Sequence, residues 1–338
     1  MACAVLNQPT MNALIRTCSL LALASCVPMG LFSRGGGSQQ DPPPPPQKPV
    51  ATLTVKAEPA AYCAVNGAKL EVIGFDAQGV QTKLAGKVDI TTDPPGFSSD
   101  GYITSPVRKS LELLGTPIKV TVTYTPKAGG PALTQAVELA PDYCGKETVE
   151  LNGEQGDGGG FGQDGQRGGD AGEWTIEVDS IAGPEGKPLA VAAFARTGGP
   201  LELLAAFDPA KGPLHVYAQG GSGGAGGPGN FATECTDATD GGVGGEGGKG
   251  GTVTLVVSDH ALEKSVLVSV GGGSGGSAGV GGGESGLSSS SCEGFHGKRG
   301  RDGREGRGGR EGTLKVVVKK KPPLVEEARA TCPRCRSK

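Results

Sequence analysis

Large rings are scarce in this chain: 1 Trp, 5 Tyr and 8 Phe, or 4% of 338 residues. So little aromatic volume excludes one large conventional core. The 3 histidines, His215, His260 and His296, are scattered along the chain and supply neither a catalytic base with a partner nor a metal-ligand set. No apolar run approaches the ~20 residues that a membrane-spanning helix needs. The formal net charge of −3 gives no overall pull toward nucleic acid. Gly248-Lys249 is followed by Gly250 rather than Ser or Thr, which excludes a phosphate-binding P-loop.

Glycine is what the chain has in excess, 62 residues, or about 18% against a typical ~7%. Its spacing carries more information than its number. Gly297, Gly300, Gly303, Gly306, Gly309 and Gly312 recur at every third position. The same step runs through Gly153-Gly156-Gly159-Gly162-Gly165-Gly168, Gly220 to Gly229, Gly241 to Gly250 and Gly273 to Gly282. A polyproline II helix has three residues per turn, so this step places the glycines on one bare ridge that another backbone can approach.

Three conformations compete for these tracts: a collagen triple helix, an intrachain bundle of polyproline II helices, and disorder. Collagen suits only the strict step from Gly297 to Gly312, and proline is nearly missing from the tracts. The Gly-Gly-X pattern elsewhere suits a monomeric bundle, because two bare ridges admit neighbours on two sides. In this the tracts resemble glycine-rich antifreeze proteins and the glycine-rich bundles of some surface receptors. Between them lie apolar runs that predict strands at Thr148–Leu151, Trp174–Ile181, Leu189–Ala195, Leu201–Phe207, Leu214–Ala218, Val253–Val257, Val266–Val270 and Leu314–Val318. Asn230–Asp240 and Leu287–His296 each join two tracts, predicting two hairpins of polyproline II helices of roughly 12–20 residues, or ~40–60 Å.

At the N-terminus Arg16 precedes the apolar run Leu20-Leu21-Ala22-Leu23-Ala24, which closes on Ser25-Cys26. Leu23-Ala24-Ser25-Cys26 resembles the lipobox of bacterial lipoproteins. The resemblance implies a signal peptide over 1–25, starting at Met1 or Met11, and lipidation of Cys26, which would anchor the protein to a membrane of the cell envelope, with the outer membrane or cell surface expected. An ordinary cleaved signal is the alternative. Residues 26–49, with Gly35-Gly36-Gly37-Ser38 and Pro42 to Pro46, read as a tether that is flexible and then stiff.

Residues 50–145 change to strands of period two: Ile118, Val120, Val122 and Tyr124 alternate with Lys119, Thr121, Thr123 and Thr125. Turn signals at Gly74–Gly79 and Asp93-Pro94-Pro95-Gly96 separate short strands, which predicts a β-sandwich. The Asp76–Gly79 turn, Val88–Thr92 and the Ile118–Tyr124 strand resemble bacterial immunoglobulin-like domains of surface proteins, without their characteristic Trp; the resemblance implies a spacer or adhesive module. The expected fold is therefore mainly β, an immunoglobulin-like sandwich followed over 146–320 by a glycine-rich β/polyproline II bundle, with a basic tail over 321–338.

Nine cysteines reduce to six once Cys3 and Cys18 leave with the signal and Cys26 is lipidated. Their placement pairs Cys63 with Cys144 across the first domain, Cys235 with Cys292 between the two tract-connecting loops, and Cys332 with Cys335 in the tail, although six cysteines allow 15 pairings. A redox or zinc role for Cys332-Pro333-Arg334-Cys335 lacks a βαβ setting or further ligands. Gly159–Asp164 matches the start of a calcium repeat, but Gln166 replaces its apolar residue and no tandem copy follows. No cofactor, metal or catalytic set is expected.

Arg301, Arg304, Arg307 and Arg310 form a second ridge in the last tract, ~9.3 Å apart in a polyproline II helix. Asp302, Glu305 and Glu311 fall on the third ridge. Either each Arg pairs weakly with a neighbouring acid, or the ridge binds a repeating anion such as an acidic polysaccharide or lipopolysaccharide phosphate. The function expected is that of a non-catalytic envelope lipoprotein with a structural or adhesive role. The alternative is a module that binds polysaccharide or an ordered surface such as ice.

Overall fold

The structure is a computed structural model that describes residues 48–63, 67–94, 98–99, 102–103, 108, 110–233, 236–284, 298–330 and 332. The signal, lipobox and most of the tether, with Cys26, lie outside them, as do Cys235, Cys292 and Cys335. Residues 47–338 form one compact unit. The fold is mainly β, as the alternating runs require.

The N-terminal part contains β1 (Thr52–Cys63), β2 (Gly67–Phe75), β3 (Gln81–Thr82), β4 (Gly86–Asp93), β5 (Ser98–Ser99), β6 (Tyr102–Ile103), β7 (Ile118–Pro126), β8 (Leu133–Leu139) and β9 (Pro141–Asp142). One sheet runs β5-β6-β2-β1-β9 with β3 beside β2, and the other runs β4-β7-β8. Ile118, Val120, Val122 and Tyr124 are buried, and the first three pack with Tyr62, Leu70, Ile103 and Leu139 between the two sheets. Period-two alternation therefore turned one side of β7 inward, as in a sandwich. Asp76 holds the β2–β3 reversal by accepting from the N–H groups of Gln78 and Val80, each at 2.9 Å. The Cys63–Cys144 disulfide ties the end of β1 to the exit of this part.

The remainder contains β10 (Thr148–Glu150), β11 (Glu173–Ala182), β12 (Pro188–Arg196), β13 (Leu201–Phe207), β14 (Leu214–Tyr217), β15 (Thr252–Val257), β16 (Val266–Ser269) and β17 (Thr313–Val318). Each predicted strand is present within two residues at either end. They build a parallel sheet β10-β14-β16 and a mixed sheet β13-β12-β11-β15-β17. Val149, Val216 and Val266 of the first meet Trp174, Ile176, Val253 and Leu255 of the second in one core.

Between these strands run six extended tracts: tract 1 (152–160), tract 2 (163–172), tract 3 (219–229), tract 4 (241–251), tract 5 (271–283) and tract 6 (300–312). Their ladder repeats every third residue. Gly153, Gly156 and Gly159 of tract 1 donate to Gln219, Ser222 and Ala225 of tract 3, each at 2.8 Å. A period of three in an extended chain is the polyproline II period, whereas a β-ladder repeats every second residue. At 9–13 residues by these bounds, the tracts span ~28–40 Å, shorter than the sequence suggested.

The glycine step from Gly153 to Gly168 is not one helix. The chain reverses at Gly160–Gln163, where Gly162 has φ +68° and the N–H of Gln163 donates to the carbonyl of Gly160. The step of three passes through that reversal without losing phase, which is why the sequence hides it. Among the described residues the tracts accordingly form three antiparallel pairs, not two, each entered from β10, β14 or β16 and left into β11, β15 or β17.

The tail is not free over its whole length. Residues Pro323–Ala330 form helix α1, whose Val325 and Ala328 are buried with Ile181, Leu189, Val191 and Leu204. The carboxylate of Glu177 accepts from the backbone N–H groups at Leu324 and Val325, and Arg329 pairs with Asp179 at 2.7 Å. Leu111 and Leu114 of the N-terminal part join the same cluster, so both parts share core residues.

Candidate binding faces of the glycine array

The ladders place the tracts in two layers. Tracts 1, 3 and 5 run parallel to one another, tracts 2, 4 and 6 likewise, and the layers are antiparallel. Gly221 and Gly224 of tract 3 donate to Gly169 and Gln166 of tract 2, while Gly242 and Gly245 of tract 4 donate to Gly227 and Gly224 of tract 3. Tracts 3 and 4 are thus surrounded by four neighbours and tracts 1 and 6 by two.

This lattice explains the glycine pattern. In tract 3, a Cβ on Gly223 would sit 2.0 Å from the carbonyl oxygen of Gly245, and one on Gly224 would sit 1.8 Å from that of Asp157. Two of its ridges face other backbones, so its sequence is Gly-Gly-X. Tract 6 lies at a corner with one inward ridge, where a Cβ on Gly306 would sit 1.9 Å from the Gly245 oxygen. Its strict Gly-X-Y step therefore reports a corner of an intrachain array, where the sequence alone also allowed collagen.

The X residues form two outer faces of opposite character. On the face of tracts 1, 3 and 5 stand Asn152 and Gln155, then Ser222, Ala225 and Pro228, then Ser274, Ser277 and Val280, all uncharged. Ser274 Oγ donates to Ser222 Oγ at 3.0 Å, and Asn152 Oδ1 accepts from Gln219 N at 2.9 Å. At the far end of this layer, exposed Phe161, Phe231 and Val280 border a cleft of about 780 Å³ together with Pro228, Glu284 and Arg299.

The face of tracts 2, 4 and 6 is charged. Its ladder rows align Asp164, Val243 and Arg304; Arg167, Glu246 and Arg307; Asp170, Lys249 and Arg310. The aspartates serve the backbone. Asp164 accepts from Val243 N, Asp170 from Lys249 N, Asp240 from Arg301 N and Asp237 from Lys298 N, at 2.7–2.8 Å. The bond from Lys249 N, aided by Arg167, holds the Asp170 carboxyl below the usual carboxylate range. Asp302 accepts from Gly281 N and lies 3.6 Å from Arg299.

Arg301, Arg304, Arg307 and Arg310 are brought together as one exposed row. Among the described residues none of the four guanidinium groups lies within 4.0 Å of a carboxylate. The local pairing that the alternating charges suggested is thus not formed. The acids sit on other ridges or are engaged by backbone N–H groups, as Asp164 and Asp170 are by Val243 and Lys249 beside them in the same ladder row.

Cys63 and Cys144 are joined, and Cys332 is also disulfide-bonded. Among the described residues, Cys63, Cys144 and Glu147 form the one group of ligand-type side chains within 4.8 Å, and its two sulfurs are bonded to each other. His215 lies on β14 and His260 opens the 3-10 turn His260–Ser265. Compared with known proteins, the chain matches no family model, no curated protein and no solved structure.

Proposed function

We propose that the chain is a non-catalytic lipoprotein of the cell envelope that presents a rigid glycine array for adhesion or surface structure. The observation that carries this reading is the division of labour in the array. Backbone groups supply most of its internal hydrogen bonds, with help from Asn152, Asp164, Asp170 and Asp240, which leaves the other outward side chains free on flat, repeating rows. Such rows suit a partner that is itself periodic. The Leu23–Cys26 lipobox, the Pro42–Pro46 stretch and the β-sandwich would hold the array away from the membrane.

A second reading follows from the uncharged face. Its rows of Asn, Gln, Ser and Ala, beside the cleft at Phe161 and Phe231, would suit a neutral polysaccharide or an ordered surface such as ice. A glycan array probed with the full chain in mild detergent tests the adhesive reading. Retention on repeating glycans supports it. Retention abolished by Ser222→Arg and Ser274→Arg together assigns the neutral face, and an array blank at every glycan refutes adhesion to carbohydrate.

A further inference from the structure

We infer that the outer face of tracts 2, 4 and 6 is a binding site for an extended acidic polysaccharide carrying one carboxylate or sulfate per disaccharide. The inference rests on the adhesive reading above and names its ligand. Three observations converge on it. Arg301, Arg304, Arg307 and Arg310 lie on one ridge of tract 6, with consecutive residues ~9.3 Å apart along the axis. That interval is close to the length of one disaccharide in an extended glycan, and longer than the interval between successive phosphates of a nucleic acid strand.

The second observation is that these cations are unspent. Asp164, Asp170, Asp237 and Asp240, which could have neutralised them, hold backbone N–H groups of neighbouring tracts instead. The third is a groove of about 340 Å³ beside the ridge, lined by Arg167, Asp170, Glu246, Lys249, Arg307 and Arg310. Four of those six side chains are cationic, and one of the two carboxylates, Asp170, is already engaged by Arg167 at 2.6 Å and by Lys249 N. A polyanion lying along tract 6 would meet a guanidinium at each repeat, and its acid groups would accept the paired N–H bonds that Arg donates to carboxylate or sulfate.

The test measures retention of the full chain on immobilised hyaluronan, which carries one carboxylate per disaccharide. Polygalacturonate, with one per monosaccharide, and neutral dextran are the comparison supports. Low salt should retain the protein on hyaluronan above the other two, and salt approaching 1 M, where screening shortens to ~3 Å, should release it. Replacing Arg301, Arg304, Arg307 and Arg310 by Gln should weaken retention by about tenfold to a hundredfold. A variant with Lys315, Lys319, Lys320 and Lys321 replaced by Gln loses the same charge elsewhere and should stay within about twofold of wild type. Equal losses in the two variants, or equal retention on hyaluronan and polygalacturonate, would overturn the proposal. A wild-type chain retained on neutral glycans but not on hyaluronan would overturn it while leaving the adhesive reading standing; retention on neither removes both.

Discussion

Replacing Gly224 by alanine puts one methyl group into the centre of the array. The added Cβ would lie 1.8 Å from the carbonyl oxygen of Asp157 and 2.4 Å from its carbon. Backbone atoms cannot rotate away as a side-chain tip can, so tracts 1 and 3 must separate. Overpacking of this kind costs ~1–3 kcal/mol. The Asp157 carbonyl accepts from Gln166 N at 2.8 Å, and loss of that bond adds ~0.5–1.5 kcal/mol. The sum, ~1.5–4.5 kcal/mol, corresponds to a fall in Tm of roughly 2–7 °C in a unit that spans residues 47–338. Gly158→Ala is the matched control. Its nearest neighbour is the Ala225 oxygen at 3.7 Å, an ordinary contact, and its φ is not in the left-handed region. By restricting the unfolded chain it should stabilise by ~0.4–1 kcal/mol. Thermal unfolding followed by circular dichroism reads both variants. Equal melting temperatures would refute the close backbone packing from which the two faces are derived.

Three further outcomes are expected. Metabolic labelling with a fatty-acid analogue should mark the wild type and not Cys26→Ala, and equal labelling of both would remove the lipoprotein assignment. Peptide mapping without reduction should recover Cys235 joined to Cys292; either one recovered as a free thiol in envelope-extracted protein counts against that bridge. Burial raises the Glu177 carboxyl above its ordinary value of 4.5, although backbone N–H groups at Leu324 and Val325 oppose the shift. The folded state therefore binds the proton more tightly than the unfolded state, so stability should fall as pH rises from about 4.5 through the raised value. Glu177→Gln should flatten that slope in urea unfolding at successive pH values, and an unchanged slope would place the titration elsewhere.

Much of this architecture was legible because two periods dominate the sequence. Period two in Ile118–Tyr124 and Trp174–Ile181 identified strands with one or both faces buried, and Leu201–Phe207 matches β13 at both ends. Period three identified the tracts and the Arg ridge. Other features left no such trace. The reversal at Gly160–Gln163 keeps the glycine phase. Helix α1 is short, and its docking depends on Glu177 and Asp179, which lie roughly 150 positions earlier. Whether the acids pair with the arginines was left open by the sequence, because proximity along the chain favours pairing. In three dimensions Asp164, Asp240 and Asp302 accept from backbone N–H groups in the adjoining tract, and a carboxylate accepting such a bond gains more than from an exposed ion pair.

The strands and tracts are one continuous device. Along β10 and β14 the partners advance together, Thr148 with His215 and Glu150 with Tyr217. The ladder then continues from Leu151 N to Tyr217 O at 2.7 Å and from Gly153 N to Gln219 O at 2.8 Å, and only afterwards settles into steps of three. Parallel strands, neighbouring at ~4.8 Å, can pass into parallel polyproline II helices without losing register because both bond sideways through the backbone. The consequence is a division between stability and recognition. The apolar core around Trp174 and Leu255 sets the register of all six tracts at one end, and bare glycine ridges carry that register outward without needing side chains. Outward residues are therefore nearly free of folding duty. Substituting Arg304 or Ser277 should change what the surface binds while leaving the array intact, whereas substituting Gly224 should do the reverse.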